Sequence, residues 1–120
     1  MHRICFELTV SPSRQAEYRD RHAAVWPSML AEIEASGRRN YSLFLRPDGQ
    51  LIGYYETDDP AASDAYLAAS TVASEWEREM APFFLHLDGR PDQGATVLPE
   101  IFNLADQLAA ASNPARQDTP

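Results

Sequence analysis

One antiparallel sheet with helices on a single face, an α+β architecture, is what three observations in the sequence predict. Ile4, Phe6, Leu8 and Val10 alternate with Arg3, Cys5, Glu7 and Thr9, the period-two pattern of a half-buried strand. Residues 40–56, NYSLFLRPDGQLIGYYE, hold two further apolar runs around a Pro-Asp-Gly turn and read as a hairpin. Ser11-Pro12 and Asp59-Pro60 each offer a capping side chain followed by a proline at the first helical position. The resulting order, strand, helix, strand, strand, helix, strand, is the ferredoxin-like βαββαβ plan.

The first helix runs from Ser11-Pro12 through Tyr18 and His22 towards Trp26, where Pro27 interrupts it, because proline cannot donate to the ladder. A second helical piece places Met29, Leu30 and Ile33 on one face and ends at Gly37. In the hairpin, Tyr41, Leu43 and Leu45 share one face, while Phe44, Ile52 and Tyr54 point to the other. The helical region after Asp59-Pro60 reaches about Phe84 and breaks near Ser70-Thr71, where a second cap is available. Residues 85–95, LHLDGRPDQGA, read as a loop. Residues 96–104, TVLPEIFNL, read as a last strand, with Pro99 favouring a sheet edge. One domain is expected over residues 1–104, followed by a flexible tail over 105–120.

The 120 residues suit one domain, and 44% hydrophobic with 23% charged residues suits a globular chain. No apolar run approaches the ~20 residues of a membrane-spanning helix, and Glu7 spoils a signal-peptide reading of the N-terminus. A cytoplasmic location is therefore expected. A single cysteine, Cys5, excludes an internal disulfide and a multi-cysteine zinc site. A net charge of −8 disfavours nucleic acid and anionic membranes, which call for clustered positive charge. All ten basic residues are arginine, so Schiff-base chemistry and a phosphate-loop lysine are excluded. The histidines show no metal-ligand spacing, and no metal or organic cofactor is expected.

Tyr18, His22 and Trp26, in the stretch YRDRHAAVWP, stand at intervals of four, which on a helix puts them on one face. Such a stripe is either ordinary packing or an acid/base group beside a wall for a flat-faced ligand. Histidine, with an ordinary pKa near ~6.5, gives and takes protons at neutral pH. Arg19, Asp20 and Arg21 around it speak against a plain core stripe. Tyr41 and Trp76 are further candidates, each equally readable as core. Glu7 and Glu56 lie in strands and read as solvated, His2 as terminal, His86 as a loop residue and Cys5 as a small strand residue. Apolar residues on both faces of the hairpin suggest that a second copy covers the sheet, giving a homodimer.

YRDRHAAVWP, NYSLFL and STVASEWEREM together resemble the L-rhamnose mutarotase family over roughly residues 1–104. The resemblance implies a ferredoxin-like fold of the dimeric α+β barrel type and interconversion of the α and β anomers of L-rhamnose. It implies no metal or cofactor, a monosaccharide as substrate and a place in rhamnose catabolism. Position by position, His22 matches the family's proton donor, and Tyr18 and Tyr41 match sugar-contacting tyrosines. Trp76 matches the first of a tryptophan pair that contacts the sugar. The second member of that pair is Glu77 here, a departure that bears on sugar preference more than on reaction type, and Glu77 takes the pair's place among the substrate-binding positions. Ser28 departs likewise, standing where many members carry an acidic residue. Two other classes of protein fit the same plan: a cofactor-independent monooxygenase, and a non-catalytic module that binds a small ligand.

Overall fold

The computed structural model describes residues 1–112. Its elements are β1 His2–Val10, a 3-10 turn Pro12–Arg14, α1 Gln15–Ala23, α2 Pro27–Ala35, β2 Arg39–Leu45 and β3 Gln50–Thr57. They continue with α3 Pro60–Ala69, α4 Thr71–Met80, a 3-10 turn Ala81–Phe83, β4 Phe84–Leu85, α5 Pro91–Gly94, β5 Thr96–Leu98 and α6 Leu104–Ala111. The five strands form one antiparallel sheet in the order β2-β3-β1-β4, with β5 also paired to β1. This is the α+β, ferredoxin-like arrangement that the alternation and the proline-led helix starts predict.

Alternation sorts the sheet's side chains. Phe6 and Val10 of β1 and Leu51, Tyr55 and Thr57 of β3 are buried, and their strand neighbours are more open. Helices α1, α2, α3 and α4 close over this inner face around Val10, Tyr18, Met29, Leu51, Leu67, Ala73, Trp76, Met80 and Phe83. Gly53 faces Phe6 in the β1–β3 register. A Cβ there would lie 2.1 Å from Phe6 Cζ, so the glycine lets the Phe6 ring lie across β3. That ring then meets Tyr41 and Tyr55 with centroids 6.2 Å away in each case. The hairpin turn closes through Gly49, which has φ 97° and whose amide donates to the Arg46 carbonyl at 2.9 Å.

Two of the expected caps form as the sequence suggests. Asp59 accepts from the Ala62 amide at the start of α3, and Ser70 from the Ala73 amide at the start of α4. Ser11 makes no side-chain cap; its amide instead donates to the Phe83 carbonyl, tying the end of β1 to the turn before β4. Helix α1 ends at Ala23 and does not reach Trp26, which sits extended at the start of α2.

The chain after α4 differs more. Strand β4 starts opposite Val10 and Thr9, and continuing its register would put Leu87 opposite Glu7. Thr96 is there instead. The final strand is thus one strand cut in two, with residues 86–95 looping out to lay α5 beside α4. Residues 85–95, expected as a plain loop, include the end of β4 and all of α5. The last strand stops at Leu98, before Pro99, which offers no amide to the ladder. Residues expected to begin a flexible tail form helix α6, because Asn103 caps the Asp106 amide and the segment is rich in alanine. Arg3 anchors the segment through Glu100 and Asp106. The remainder of the expected tail, residues 113–120, lies outside the described residues.

The sheet's outer face carries Cys5, Glu7, Phe44, Ile52, Tyr54 and Glu56. Glu7 accepts from the Gln50 amide group at 2.9 Å, and Glu56 from the Tyr54 hydroxyl at 2.7 Å. Neither carboxylate faces the helices, as their strand positions suggest. Phe44 is 63% exposed, and Ile101, Phe102, Leu104 and Leu108 of the C-terminal segment are also exposed.

Candidate active site

Between the sheet's inner face and the helices lies a cavity of about 720 Å³. Its size is that of a small-molecule site. Tyr18, His22, Tyr41, Trp76 and Glu77, the five residues singled out from the sequence, all line it. Trp26 does not; its ring stands edge-on against Trp76 at 5.0 Å and backs the wall.

The one-turn spacing of Tyr18 and His22 on α1 has a direct consequence. The His22 ring folds back over Tyr18, with centroids 4.2 Å apart and planes at 31°. Its Nδ1 lies 2.9 Å from the Tyr18 carbonyl oxygen. A carbonyl only accepts, so Nδ1 carries a proton and donates, which leaves Nε2 as the exchanging nitrogen. Burial lowers the His22 pKa, and the hydrogen bond to the Tyr18 backbone opposes that in part. The Trp76 ring stands against that of His22 with centroids 5.5 Å apart and planes at 78°. The group is therefore a neutral imidazole at pH 7 with a lone pair on Nε2.

Tyr41 stacks on Tyr55 at 5.3 Å and 25° on the floor of the cavity. Burial pushes the hydroxyls of Tyr18 and Tyr41 well above the ordinary phenol range. Both stay protonated and can donate to a ligand oxygen. Trp76 is 6% exposed, so it belongs to the core and lines the cavity at once.

Glu77 follows Trp76 on α4. One carboxylate oxygen, Oε2, accepts from the Asp92 amide at 3.2 Å. Burial, reinforced by the nearby Asp92 carboxylate, pushes the Glu77 pKa up to about 7. Arg90, the Asp92 amide and Arg38 pull the other way without prevailing.

Sequence reasoning missed three contributors. Arg38 is nearly buried in its side chain, sits 4.2 Å over the Tyr55 ring, and donates to Ser63 Oγ and Asp64 Oδ1 at 2.7 Å each. Tyr55 shares Tyr41's face, which its alternation with Gly53 and Leu51 could have revealed. Asp92 enters the wall because the split strand carries α5 there, and no local pattern signals that. Among the described residues no group of three or more His, Cys, Asp or Glu side chains converges as metal ligands would.

The sequence model of the L-rhamnose mutarotase family matches residues 3–104. An L-rhamnose mutarotase of Oceanobacillus iheyensis is 33% identical over 105 residues, covering 87% of this chain and 99% of the relative. One from Listeria monocytogenes is 34% identical over 108 residues, covering 88% of this chain and the whole of the relative. The crystal structure of the L-rhamnose mutarotase from Formosa agariphila superposes with a TM-score of 0.71 over 87% of this chain and 99% of that one. At 20% identity that likeness speaks for the fold alone. Fold, matched length and relatives converge on one conclusion: the chain belongs to the L-rhamnose mutarotase family.

Proposed function

We propose that this chain interconverts the α and β anomers of L-rhamnose, with His22 transferring protons and Tyr18, Tyr41, Trp76 and Glu77 contacting the sugar. One observation carries the reading beyond family membership: a neutral imidazole, fixed by its Nδ1–H to the Tyr18 carbonyl, in a cavity walled by aromatic rings and phenols. Ring opening moves the anomeric hydroxyl proton to a base, breaks the bond between C1 and the ring oxygen, and gives that oxygen a proton. The open aldehyde turns about the C1–C2 bond, and the steps reverse on the other face. Only protons move between protein and sugar, so neither metal nor organic cofactor has a task. The Trp76 ring covers an apolar sugar face, and phenol hydroxyls bond its oxygens.

NMR saturation transfer between the two anomeric protons of L-rhamnose tests the reading. Exchange above the spontaneous rate supports it. A blank with rhamnose and with other aldoses rejects it and favours the monooxygenase or the binding module. Within this reading, Tyr41→Phe deletes one neutral hydrogen bond and weakens sugar binding by about 1 kcal/mol, roughly fivefold in KM. An unchanged KM takes Tyr41 out of the site.

The proposal includes a homodimer in the cytoplasm. The dimer is supported by the exposed Phe44 beside Ile52 and Tyr54 on the outer face, and by Ile101 at 92% exposure in an arm that turns its apolar side outward. Light scattering at micromolar concentration is expected to give twice the chain mass; the mass of one chain rejects the dimer. The cytoplasm is supported by the unpaired Cys5 and is checked by cell fractionation.

A further inference from the structure

Opening a pyranose takes two proton transfers at two oxygens, and His22 supplies one. Four carboxyl side chains line the cavity: Glu34, Asp64, Glu77 and Asp92. Glu34 is exposed. Asp64 is two-thirds exposed and paired with Arg38. Asp92 gives both its oxygens to Arg90, at 2.9 and 2.7 Å. Glu77 differs from all three. Its Oε2 is tied to the Asp92 amide, its Oε1 has no hydrogen-bond partner among the described residues, and the side chain lines the cavity. We propose that Glu77 is the second proton-transfer group of this enzyme, acting on the sugar alongside His22 from the wall of the same cavity.

The assignment rests on the mutarotase reading and completes it. In the active form His22 is neutral and Glu77 is protonated. His22 Nε2 takes the anomeric hydroxyl proton as the C1–O5 bond breaks, and the Glu77 carboxylic acid protonates O5. After rotation about C1–C2, the imidazolium returns its proton to O1 while the Glu77 carboxylate takes the proton from O5, which attacks C1 from the other face. The pair ends as it began, so the cycle needs no outside acid. The tautomer with the proton on Glu77 and the one with it on His22 are the same macroscopic species and share one pH dependence.

The charged groups facing the pair set that dependence. Asp92 and Arg90 face Glu77 from the excursion between β4 and β5, Arg38 from the residue before β2, and the Tyr18 and Tyr41 phenols from α1 and β2. Glu34 of α2, Arg39 of β2 and Asp64 of α3 stand in the same wall. His22 faces Tyr18 on its own helix and Trp76 on α4; Arg21 beside it is engaged by Glu79.

The test measures the saturating exchange rate and KM for L-rhamnose from pH 5 to 9 in wild type and Glu77→Gln. The wild type is expected to give a bell. Glu77→Gln is expected to lose about 10²–10⁴-fold in kcat, change KM little, and keep only one limb. Wild-type kcat with both limbs intact overturns the assignment of Glu77 and leaves the mutarotase reading standing. A wild type that accelerates exchange of no aldose overturns that reading, and the pair with it. If the Gln variant does not fold, Glu77→Asp decides: a lower kcat at unchanged KM supports the assignment, and an unchanged kcat overturns it.

Discussion

Replacing His22 by alanine is expected to lower enzyme-dependent anomer exchange by about 10²–10⁴-fold, the usual worth of one positioned proton-transfer group. The fold should survive. His22 lies in the last turn of α1, and among the described residues its one side-chain hydrogen bond is to the Tyr18 carbonyl of the same helix. The buried members of the core, Tyr18, Trp76 and Phe83 among them, keep their other contacts. Deleting a half-buried ring that stacks on Tyr18 should cost about 1 kcal/mol of stability. The measurement pairs saturation transfer with circular dichroism on the same sample. Unimpaired exchange in a folded variant removes His22 from the chemistry. Histidine→asparagine is a useful companion, because it keeps a donor near the Tyr18 carbonyl but has no titrating nitrogen; a loss equal to that of alanine assigns the effect to proton transfer.

Much of the frame was legible because its signals are local. Ile4 to Val10 alternates over a full strand, and the hairpin carries its own turn chemistry. Asp59 and Ser70 stand where a capping oxygen reaches an amide three residues on. Tyr18 and His22 meet because side chains four apart on a helix must. The illegible parts depend on distant partners. Strands of two and three residues have no period to detect, so the split into β4 and β5 and the excursion between them read as a loop. Yet that excursion carries Asp92 to Glu77 and helps bury it. Arg38 follows Gly37 with no pattern around it; only the packed fold puts its guanidinium over Tyr55. Helix α6 looked like a polar tail because alanine and one asparagine cap are weak signals beside glutamine, proline and aspartate. The sequence marked Glu77 only as a departure from an expected indole, and its half-buried seat beside Asp92 is a property of the assembled site.

That seat predicts a pH-dependent stability. The Glu77 pKa rises from 4.5 to about 7 on folding, chiefly through burial. A raised folded pKa means that the native state binds the proton more tightly than the unfolded chain. The stability it contributes is fully present below pH ~4.5 and is lost as pH rises through about 7. Two to three units correspond to roughly 3 kcal/mol, and the partial exposure of the group reduces this to roughly 2–3 kcal/mol. Glutamine has the shape of the protonated acid and nothing to ionise. Glu77→Gln should therefore come within a few tenths of a kcal/mol of wild type at pH 4 and exceed it by roughly 2–3 kcal/mol at pH 8.5, read by urea unfolding at both values. The charging of His22, whose folded pKa is lowered, weakens both proteins alike as pH falls below ~6.5 and so cancels in the difference. Equal stabilities at pH 8.5 would mean that the carboxylate ionises as freely as one in water, and a group so solvated has no reason to protonate a sugar ring oxygen at neutral pH. A stabilised Gln variant that has lost exchange would show a carboxyl held at a cost to the fold for the proton it carries.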